Sequence, residues 1–325
     1  MKNKIAIISS TVIVGIILIV GMYVMLRGDF EYEVNEDNTV TITGYRGKDI
    51  EVVIPEKIGG KSVVIIGEGS FVSNEEITSV DIPESVEVIE ECAFASCKKL
   101  TTVIGGEGIR EFKRQSFGSC KALEDITFYE GLEVIEEMAF SVTGLTKINI
   151  PSTVKEIKYD AFGTCIKLKE VNIPESVEFI GKMAFDETAW FDSFTMEETL
   201  IVGDGILLKY SKNQETVMIP NGVKTISTRD WKNEVLQEIY VPRTTKRILE
   251  HMFGDHGEIT IYIPSSVEQI GGFDNPEDTN ISYNDMDKVT LVVEAGSYAE
   301  EYAKLKSEET GLKYRIVDEI NYPVQ

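Results

Sequence analysis

The chain has 325 residues, carries a formal net charge of −23, and spreads its acidic residues over the whole chain from Asp29 onward. Nucleic acid is a poor partner for such a chain, because duplex binding depends on Lys and Arg side chains that neutralise phosphates. The scattered acidic side chains instead indicate a solvated, self-repelling surface.

The N-terminal segment predicts a membrane anchor. Residues 5–26 contain no charged side chain, and Lys2 and Lys4 precede them. As a helix this run spans about 33 Å, enough to cross a hydrocarbon core of about 30 Å. A cleaved signal peptide is the alternative, but its apolar region is usually about 7–15 residues and ends at a small-x-small site that is missing here. We therefore expect residues 1–4 in the cytoplasm, a single-pass anchor at 5–26, and the remaining chain outside the cell membrane.

Residues 27–49 predict a hairpin that begins the folded part of the chain. Two alternating strand patterns lie between Phe30 and Thr43, on either side of the polar turn from Asn35 to Asn38. We expect this hairpin to cover the first apolar turn of the repeats that follow.

Residues 50–293 predict a solenoid, because a unit of 22–23 residues recurs along them. The unit carries a Phe at a fixed place, here called the frame Phe, at Phe71, Phe94, Phe117, Phe140, Phe162 and Phe185. The same frame resumes at Trp231 and Phe253. A sustained period of this length is typical of stacked repeats that bury their apolar faces only against their neighbours.

Each unit has the same predicted construction of one short strand with a turn or short helix. Leu168 to Pro174 alternates like a strand that the proline ends, and a Ser-x-Val-x-x-Ile segment then returns to the core. The small Ala161 and the large Phe162 fill the far side of the unit. We expect the frame Phe residues to form a buried ladder, and an exposed stacking platform is the alternative.

After Phe185 the repeat pattern lapses and returns at Ile219. Between them, Thr199 to Tyr210 has the pattern of a β-hairpin, with Gly203-Asp204-Gly205 at its turn. We therefore expect a hairpin inserted into the solenoid at about residues 189–212.

Residues 294–317 predict a C-terminal cap made of a helix and a last strand. Ser297 and Glu300 form a capping box at the start of the helix, and Gly311 marks its end. The helix face expected to cover the final turn consists of Tyr298, Tyr302 and Leu305. Residues 318–325 are left as a tail.

Three of the four cysteines share one repeat position, three residues after the frame Phe: Cys97, Cys120 and Cys165. The shared position favours a ladder of small buried side chains over a disulfide framework. A bridge between Cys97 and Cys120 stays open as an alternative, because turns about 4.8 Å apart lie within the reach of a disulfide.

The units IPESVEVIEECAFASCKKLTTV, IPSTVKEIKYDAFGTCIKLKEVNIP and IPESVEFIGKMAFDETAW resemble the BspA-type leucine-rich repeats of bacterial surface proteins. The resemblance covers about residues 30–317. It implies a curved, β-rich leucine-rich-repeat solenoid displayed on a cell surface for adhesion or other protein-level binding, with no catalytic residues. The pattern departs at Gly105-Gly106, where Ile-Pro is lost, and at Phe128-Tyr129, so we expect irregular strand ends there.

The sequence predicts neither an enzyme nor a cofactor site, because it contains no Gly-x-Ser-x-Gly, phosphate-loop or dinucleotide pattern. His251 and His256 flank Asp255 without a third ligand nearby, which favours a surface loop over a metal site. The acidic residues between 274 and 287 lack the spacing of a calcium loop, and the sequon at 280–282 is weak evidence alone. We therefore predict no metal site.

The predicted binding site lies on the outward face of the strands. In Leu-x-x-Val-x-Ile the Val and Ile point inward, so the residues that alternate with them point outward. The candidate ligand-binding residues are Tyr240, Tyr262, Met218, Glu238 and Thr260. An exposed aromatic patch with a polar rim is typical of interface hot spots, whereas the alternative is that the tyrosines only stabilise the sheet as a cross-strand pair.

Together these patterns predict a cell-surface module that binds a protein or cell-surface ligand on its concave sheet and is held in the membrane by residues 5–26. The alternative is a structural scaffold or spacer in the cell envelope that holds a neighbouring membrane protein.

Overall fold

The structure, a computed structural model, describes residues 28–194, 198–210, 213–228, 235–249, 258–271 and 286–323. Several predicted features lie outside these residues: the anchor at 5–26, Trp231, Phe253, both histidines, the sequon and most of the acidic segment. Among the described residues, no helix has the length and apolar character needed to cross a membrane.

The chain forms the predicted solenoid, and in most turns of its first part it contributes two short strands instead of one. The Leu-x-x-Val-x-Ile segments give two successive parallel sheets, here together called the long-strand sheet. The first contains β3 (Glu51–Val53), β6 (Ser79–Ile82) and β8 (Thr102–Gly105), and the second contains β11 (Lys147–Asn149) and β13 (Glu170–Asn172). The Val-x-x-Ile segments give the short-strand sheet: β7 (Val88–Ile89), β9 (Glu111–Phe112), β10 (Val134–Ile135), β12 (Glu156–Ile157) and β14 (Phe179–Ile180). The predicted unit lacked this second strand, which forms because each returning segment pairs in parallel with the same segment of the next turn.

The N-terminal hairpin covers the first turn, as predicted. Its strands β1 (Phe30–Val34) and β2 (Val40–Tyr45) are antiparallel, and β2 continues the short-strand sheet by pairing with β5 (Lys61–Ile66). A two-residue strand, β4 (Lys57–Ile58), pairs with the other side of β5.

The frame Phe rings form one stack through the core. Neighbouring ring centroids from Phe71 to Phe185 lie 4.7 to 5.5 Å apart, with nearly parallel planes. Tyr45 of the N-terminal hairpin extends the stack at one end, with its ring centroid 5.3 Å from that of Phe71. Trp190 closes the other end in a T-shaped contact, with its ring centroid 5.1 Å from that of Phe185. The central rings have no exposed surface, which confirms the buried ladder.

The residue two places after each frame Phe has a left-handed backbone. Its φ lies between 56° and 63° at Ser73, Ser96, Ser119, Val142, Thr164 and Glu187. This conformation turns the N–H toward the next turn, as where Val142 donates to the Gly163 carbonyl at 2.9 Å. None of these positions is a glycine, and the conformation is most strained at β-branched Val142 and Thr164.

The cysteines form the predicted ladder, and all four are free thiols. The thiols of Cys97, Cys120 and Cys165 donate to the carbonyls of Phe71, Phe94 and Phe140 at 3.0 to 3.1 Å. Burial raises the pKa of Cys165, so its thiol stays protonated. Each of these three thiols therefore ties its turn to the one before it.

The predicted hairpin insertion is present, and a short helix precedes it. Helix α1 (Ala189–Asp192) starts at the cap residue Thr188, and the antiparallel strands β15 (Thr199–Val202) and β16 (Ile206–Tyr210) follow. The Lys209 ammonium is buried and donates to the carbonyls of Phe191 and Phe194 at 3.2 and 2.9 Å. It thereby satisfies carbonyls at the end of the helix.

Strand β16 separates two hydrophobic cores. The side chains of Ile206 and Leu208 belong to the core of the frame Phe rings. Those of Leu207 and Tyr210 belong to a second core under the C-terminal turns. All five residues of β16 are buried, so this strand is a wall shared by both cores.

The C-terminal turns repeat the two-strand pattern. Their long-strand sheet contains β17 (Thr216–Met218), β19 (Glu238–Tyr240), β21 (Ile259–Ile263), β23 (Val289–Glu294) and β24 (Lys313–Val317). Their short-strand sheet contains β18 (Thr225–Ile226), β20 (Arg247–Ile248) and β22 (Gln269–Ile270), which extend from β16. A single 3-10 turn, Met286–Lys288, precedes β23.

The cap helix α2 (Tyr298–Thr310) has the predicted ends. Ser297 accepts the Glu300 N–H at its start, and Gly311 ends it in the left-handed conformation. Its buried face differs from the prediction: Ala299, Tyr302 and Ala303 are buried, whereas Tyr298 and Leu305 are 42% and 55% exposed. Residues at i, i+3 and i+4 form the contact stripe, so the two outer residues flank it instead of covering the last turn.

Candidate binding surface

The outward face of the long-strand sheet follows the predicted alternation. In β11, Lys147 and Asn149 are exposed while Ile148 is buried, and Glu170 and Asn172 are exposed in β13. The Asn172 amide donates to the Asn149 side-chain oxygen at 2.6 Å. Neighbouring turns therefore present matched polar side chains in a row.

The five predicted ligand-binding residues lie together on the outward face of the C-terminal long-strand sheet. Met218, Tyr240 and Tyr262 are in register on β17, β19 and β21, and Glu238 is in register with Thr260. The rings of Tyr240 and Tyr262 stack with centroids 4.1 Å apart and planes at 5°. The Tyr262 hydroxyl donates to the Glu238 carboxylate at 2.9 Å.

The expected exposure of Tyr240 is wrong, because this side chain is only 6% exposed. Tyr262 covers one side of it, and Tyr322 lies against it with ring centroids 5.9 Å apart. Burial raises the pKa of Tyr240, and Tyr262 and Glu238 add to the effect. The tyrosines thus have the geometry of the cross-strand pair that was the alternative, with Tyr262 partly open to solvent.

Tyr322 belongs to residues 318–323, here called the C-terminal strap, which runs back from the end of β24. Its hydroxyl donates to the Val241 carbonyl at 2.8 Å. Two residues earlier, Ile320 is buried and its N–H donates to the Glu294 carboxylate at 3.0 Å. The strap therefore reaches from the last strand back to the turn that follows β19.

The buried carboxylate of Glu294 is the centre of this contact. It is 4% exposed and accepts two hydrogen bonds from Arg243, at 2.7 and 3.2 Å, and one from the Ser265 N–H at 2.8 Å. Burial alone would raise the pKa of Glu294, but the hydrogen bonds from Arg243, Ser265 and Ile320 outweigh it and lower the pKa to about 2. The carboxylate is therefore ionised at any physiological pH.

The Val241 carbonyl is open to Tyr322 because of a proline. The Val241 N–H bonds the Tyr262 carbonyl, so the Val241 carbonyl faces the same neighbouring turn, where Pro264 has no N–H to donate. Gly106 shows the opposite case, since it stands where the repeat has proline and its N–H bonds the Ile82 carbonyl at 2.8 Å. Strand β8 runs as far as Gly105. Gly105 and Gly106 have left-handed φ values of 73° and 83°, so the irregular strand end expected here is present.

The long-strand sheet opens at the other departure, between β8 and β11. In the turn between these strands, Asp125 forms an isolated β-bridge to Thr102, and Phe128 belongs to no strand. A bulky Phe128 replaces the usual Ile and packs edge-on against Phe112 and Phe140 at 5.7 and 5.1 Å. The irregularity predicted here is confirmed.

An open groove of about 640 Å³ lies at this interruption. Its lining includes Asp125, Thr127, Lys147, Asn149, Lys169 and Trp190. Charges of both signs, amides and one indole edge therefore meet in one place on the outward face.

Sequence reasoning missed the strap and the two residues on which it packs, Arg243 and Glu294. The available signal was the alternation of Ile320 and Tyr322 with polar residues, in a segment left as a tail. Within the described ranges, no group of three or more His, Cys, Asp or Glu side chains is arranged to hold a metal ion.

Comparison with known proteins agrees with this architecture. The model of the BspA type leucine rich repeat region family matches residues 57–169 and 157–275, in six copies. A leucine rich cell surface protein from Faecalibacterium prausnitzii is 22% identical, with 78% of this chain and 95% of that chain covered and a TM-score of 0.45. The pneumococcal vaccine antigen PcpA is 17% identical, with 92% and 99% covered and a TM-score of 0.43. The leucine rich repeat protein of T. pallidum is 20% identical, with 90% and 97% covered and a TM-score of 0.39.

No curated protein sequence matched the chain. The family match extends from the first turns to beyond the Tyr240–Tyr262 pair and includes the grooved part of the sheet. The chain therefore belongs to the BspA-type leucine-rich-repeat family.

Proposed function

We propose that this chain is a bacterial cell-surface protein that binds another protein or a cell-surface ligand through the outward face of its long-strand sheet, without catalysis. Residues 5–26 hold it in the membrane with the amino end in the cytoplasm and the repeats outside. Adhesion is one use of such a surface.

The groove at the sheet interruption is the observation that best supports this proposal. The inward side chains of the sheet fill a continuous core, whereas the outward ones take no part in it. The groove therefore offers polar and charged side chains that lie outside the core, and an interface requires such groups. Its mixed charges fit a protein surface better than a uniformly charged polymer.

The binding experiment uses the full chain displayed on intact cells. Bound partners are cross-linked, purified with the chain and identified. A triple variant with Lys147→Ala, Asn149→Ala and Asn172→Ala should lose the partner, while the control Lys121→Ala on another exposed surface should retain it. Equal capture by both variants would exclude this face as the binding surface.

The identity of the captured partner separates the two predicted roles. A partner from outside the cell supports binding or adhesion, whereas a resident envelope protein supports the scaffold role.

The membrane placement has its own test. Protease added to intact cells should degrade the chain after about Arg27, while a tag at Met1 stays protected. Recovery from the medium of a chain that begins near residue 27 would contradict the anchor.

A further inference from the structure

We infer that the surface beneath the C-terminal strap is an acceptor site for an extended peptide that carries an aliphatic residue and, two positions later, a tyrosine. The chain fills this site itself, with Ile320 and Tyr322. The inference rests on the proposed function as a protein-binding module and names the chemical class of one partner.

Three groups recognise the tyrosine. The Val241 carbonyl accepts its hydroxyl at 2.8 Å, and the ring lies beside that of Tyr240. The Arg243 guanidinium lies over the Tyr322 ring, 5.8 Å from its centroid. A ring in contact with another aromatic ring and with a cation, with its hydroxyl satisfied, is the geometry expected for specific tyrosine recognition.

The aliphatic position is recognised through backbone and burial together. The Ile320 side chain is 4% exposed, and its N–H donates to Glu294. Alternate side chains enter the site while the intervening Asn321 stays exposed, as in other extended peptides bound along a protein surface.

The acceptor has its own supports, apart from the strap. Two hydrogen bonds from Arg243 and one from the Ser265 N–H hold the Glu294 carboxylate. The Tyr262 ring stacks on Tyr240 from the other side. An empty site would therefore keep its shape, which lowers the cost of binding a peptide in trans.

The strap lies outside the regular structure of the cap. The ladder between β23 and β24 ends at Val317, and α2 packs on the core side of the sheet. The strap is thus held by side-chain packing and single hydrogen bonds. A free peptide can replace these contacts without breaking the pairing between strands. A tethered strap has an effective concentration of about millimolar, so it outcompetes a dilute free peptide of the same sequence.

The test uses a fluorescein-labelled peptide with the sequence of residues 317–325, VDEINYPVQ, and the full chain. In the variant with Ile320→Ala and Tyr322→Ala the strap no longer fills the site, and fluorescence anisotropy should show saturable binding of the peptide. The unchanged chain should bind it at least tenfold more weakly. A control peptide with Ala at both anchor positions should not bind, and adding Arg243→Ala to the variant should weaken binding about tenfold.

A second variant covers the case in which the double substitution unfolds the cap. Tyr322→Phe keeps the ring and removes only the hydrogen bond to Val241, so the labelled peptide should compete better with this strap than with the original one. The inference is wrong if neither variant binds the peptide better than the unchanged chain, or if the control peptide binds equally well. Because the probe is synthetic, this failure leaves the capture of a cellular partner by the groove intact, and failed capture leaves the peptide result intact.

Discussion

Replacing Phe162 by Ala tests the solenoid core most directly. This ring has no exposed surface and lies between Phe140 and Phe185, at centroid distances of 5.5 and 5.4 Å. Truncation of a buried Phe costs about 3–5 kcal/mol, and a stacked pair contributes about 0.5–1.5 kcal/mol beyond its buried area. Because two stacked pairs are lost together, we expect Phe162→Ala to lower the free energy of unfolding by the upper part of that range.

Denaturant unfolding followed by circular dichroism measures this loss, and hydrogen exchange locates it. Exchange should increase first in the turns around residues 140–185, because each turn is stabilised mainly by its neighbours. The control Ile166→Ala removes an apolar side chain that is 69% exposed in the same turn, and should change the free energy by no more than about 0.5 kcal/mol. A loss below about 1 kcal/mol for Phe162→Ala, or equal losses for both variants, would refute the core assignment.

Three further predictions concern charge and backbone strain. Burial, with the nearby carboxylates of Asp186 and Glu187, raises the pKa of Asp160 to about 6 despite a hydrogen bond from Ser141. Ionisation is therefore easier in the unfolded chain, and the contribution of Asp160 to the free energy of unfolding falls as pH rises from about 4 to 6. Asp160→Asn should stabilise the chain at pH 7 by up to about 3 kcal/mol in thermal or denaturant unfolding, and a change that is equally large at pH 4 would contradict this cause. Val142→Gly should stabilise by about 1 kcal/mol, because glycine removes the strain at φ 61°, and a clear fall in Tm would show that the valine side chain matters more. Glu294 has a lowered pKa, so its stabilising effect is present above about pH 4.5 and is lost as pH falls toward 2; Glu294→Gln should cost about 1.5–3 kcal/mol at pH 7 and nothing near pH 2, and an equal cost at both would exclude a charge effect.

Much of the fold could be predicted because every repeat carries the same pattern of apolar residues. The fixed spacing of Phe94, Phe117 and Phe140 indicates both the stack and the burial of the rings, since a single register satisfies every turn at once. Local signals also sufficed for the hairpins and for the ends of α2 at Ser297 and Gly311, because turn and cap chemistry is set within a few residues.

The binding surface was only partly predictable, because two of its features depend on residues far apart in the sequence. The alternation that placed Tyr240 outward was right about direction, but its burial depends on Tyr322, 82 positions later. The groove is lined in part by Phe128, which packs against Phe112 and Phe140, and single-sequence patterns give no measure of how such a ring is placed. The sequence showed that Phe128-Tyr129 departs from the Ile-Pro of the repeat, but it did not show the groove beside these residues.

The shared wall formed by β16 has a consequence for how cooperatively the chain unfolds. In a linear array, neighbouring turns unfold together when the interface between them contributes much of their stability. They unfold separately where that interface is weak. At β16 that coupling includes a shared strand, whose Ile206 and Leu208 serve one core while Leu207 serves the other. A hydrogen bond from the Ser227 hydroxyl to the Ile180 carbonyl at 2.7 Å also joins the two halves. The two halves of the solenoid therefore have separate cores that meet at β16, and we expect substitutions in this strand to change how far local unfolding in one half spreads to the other.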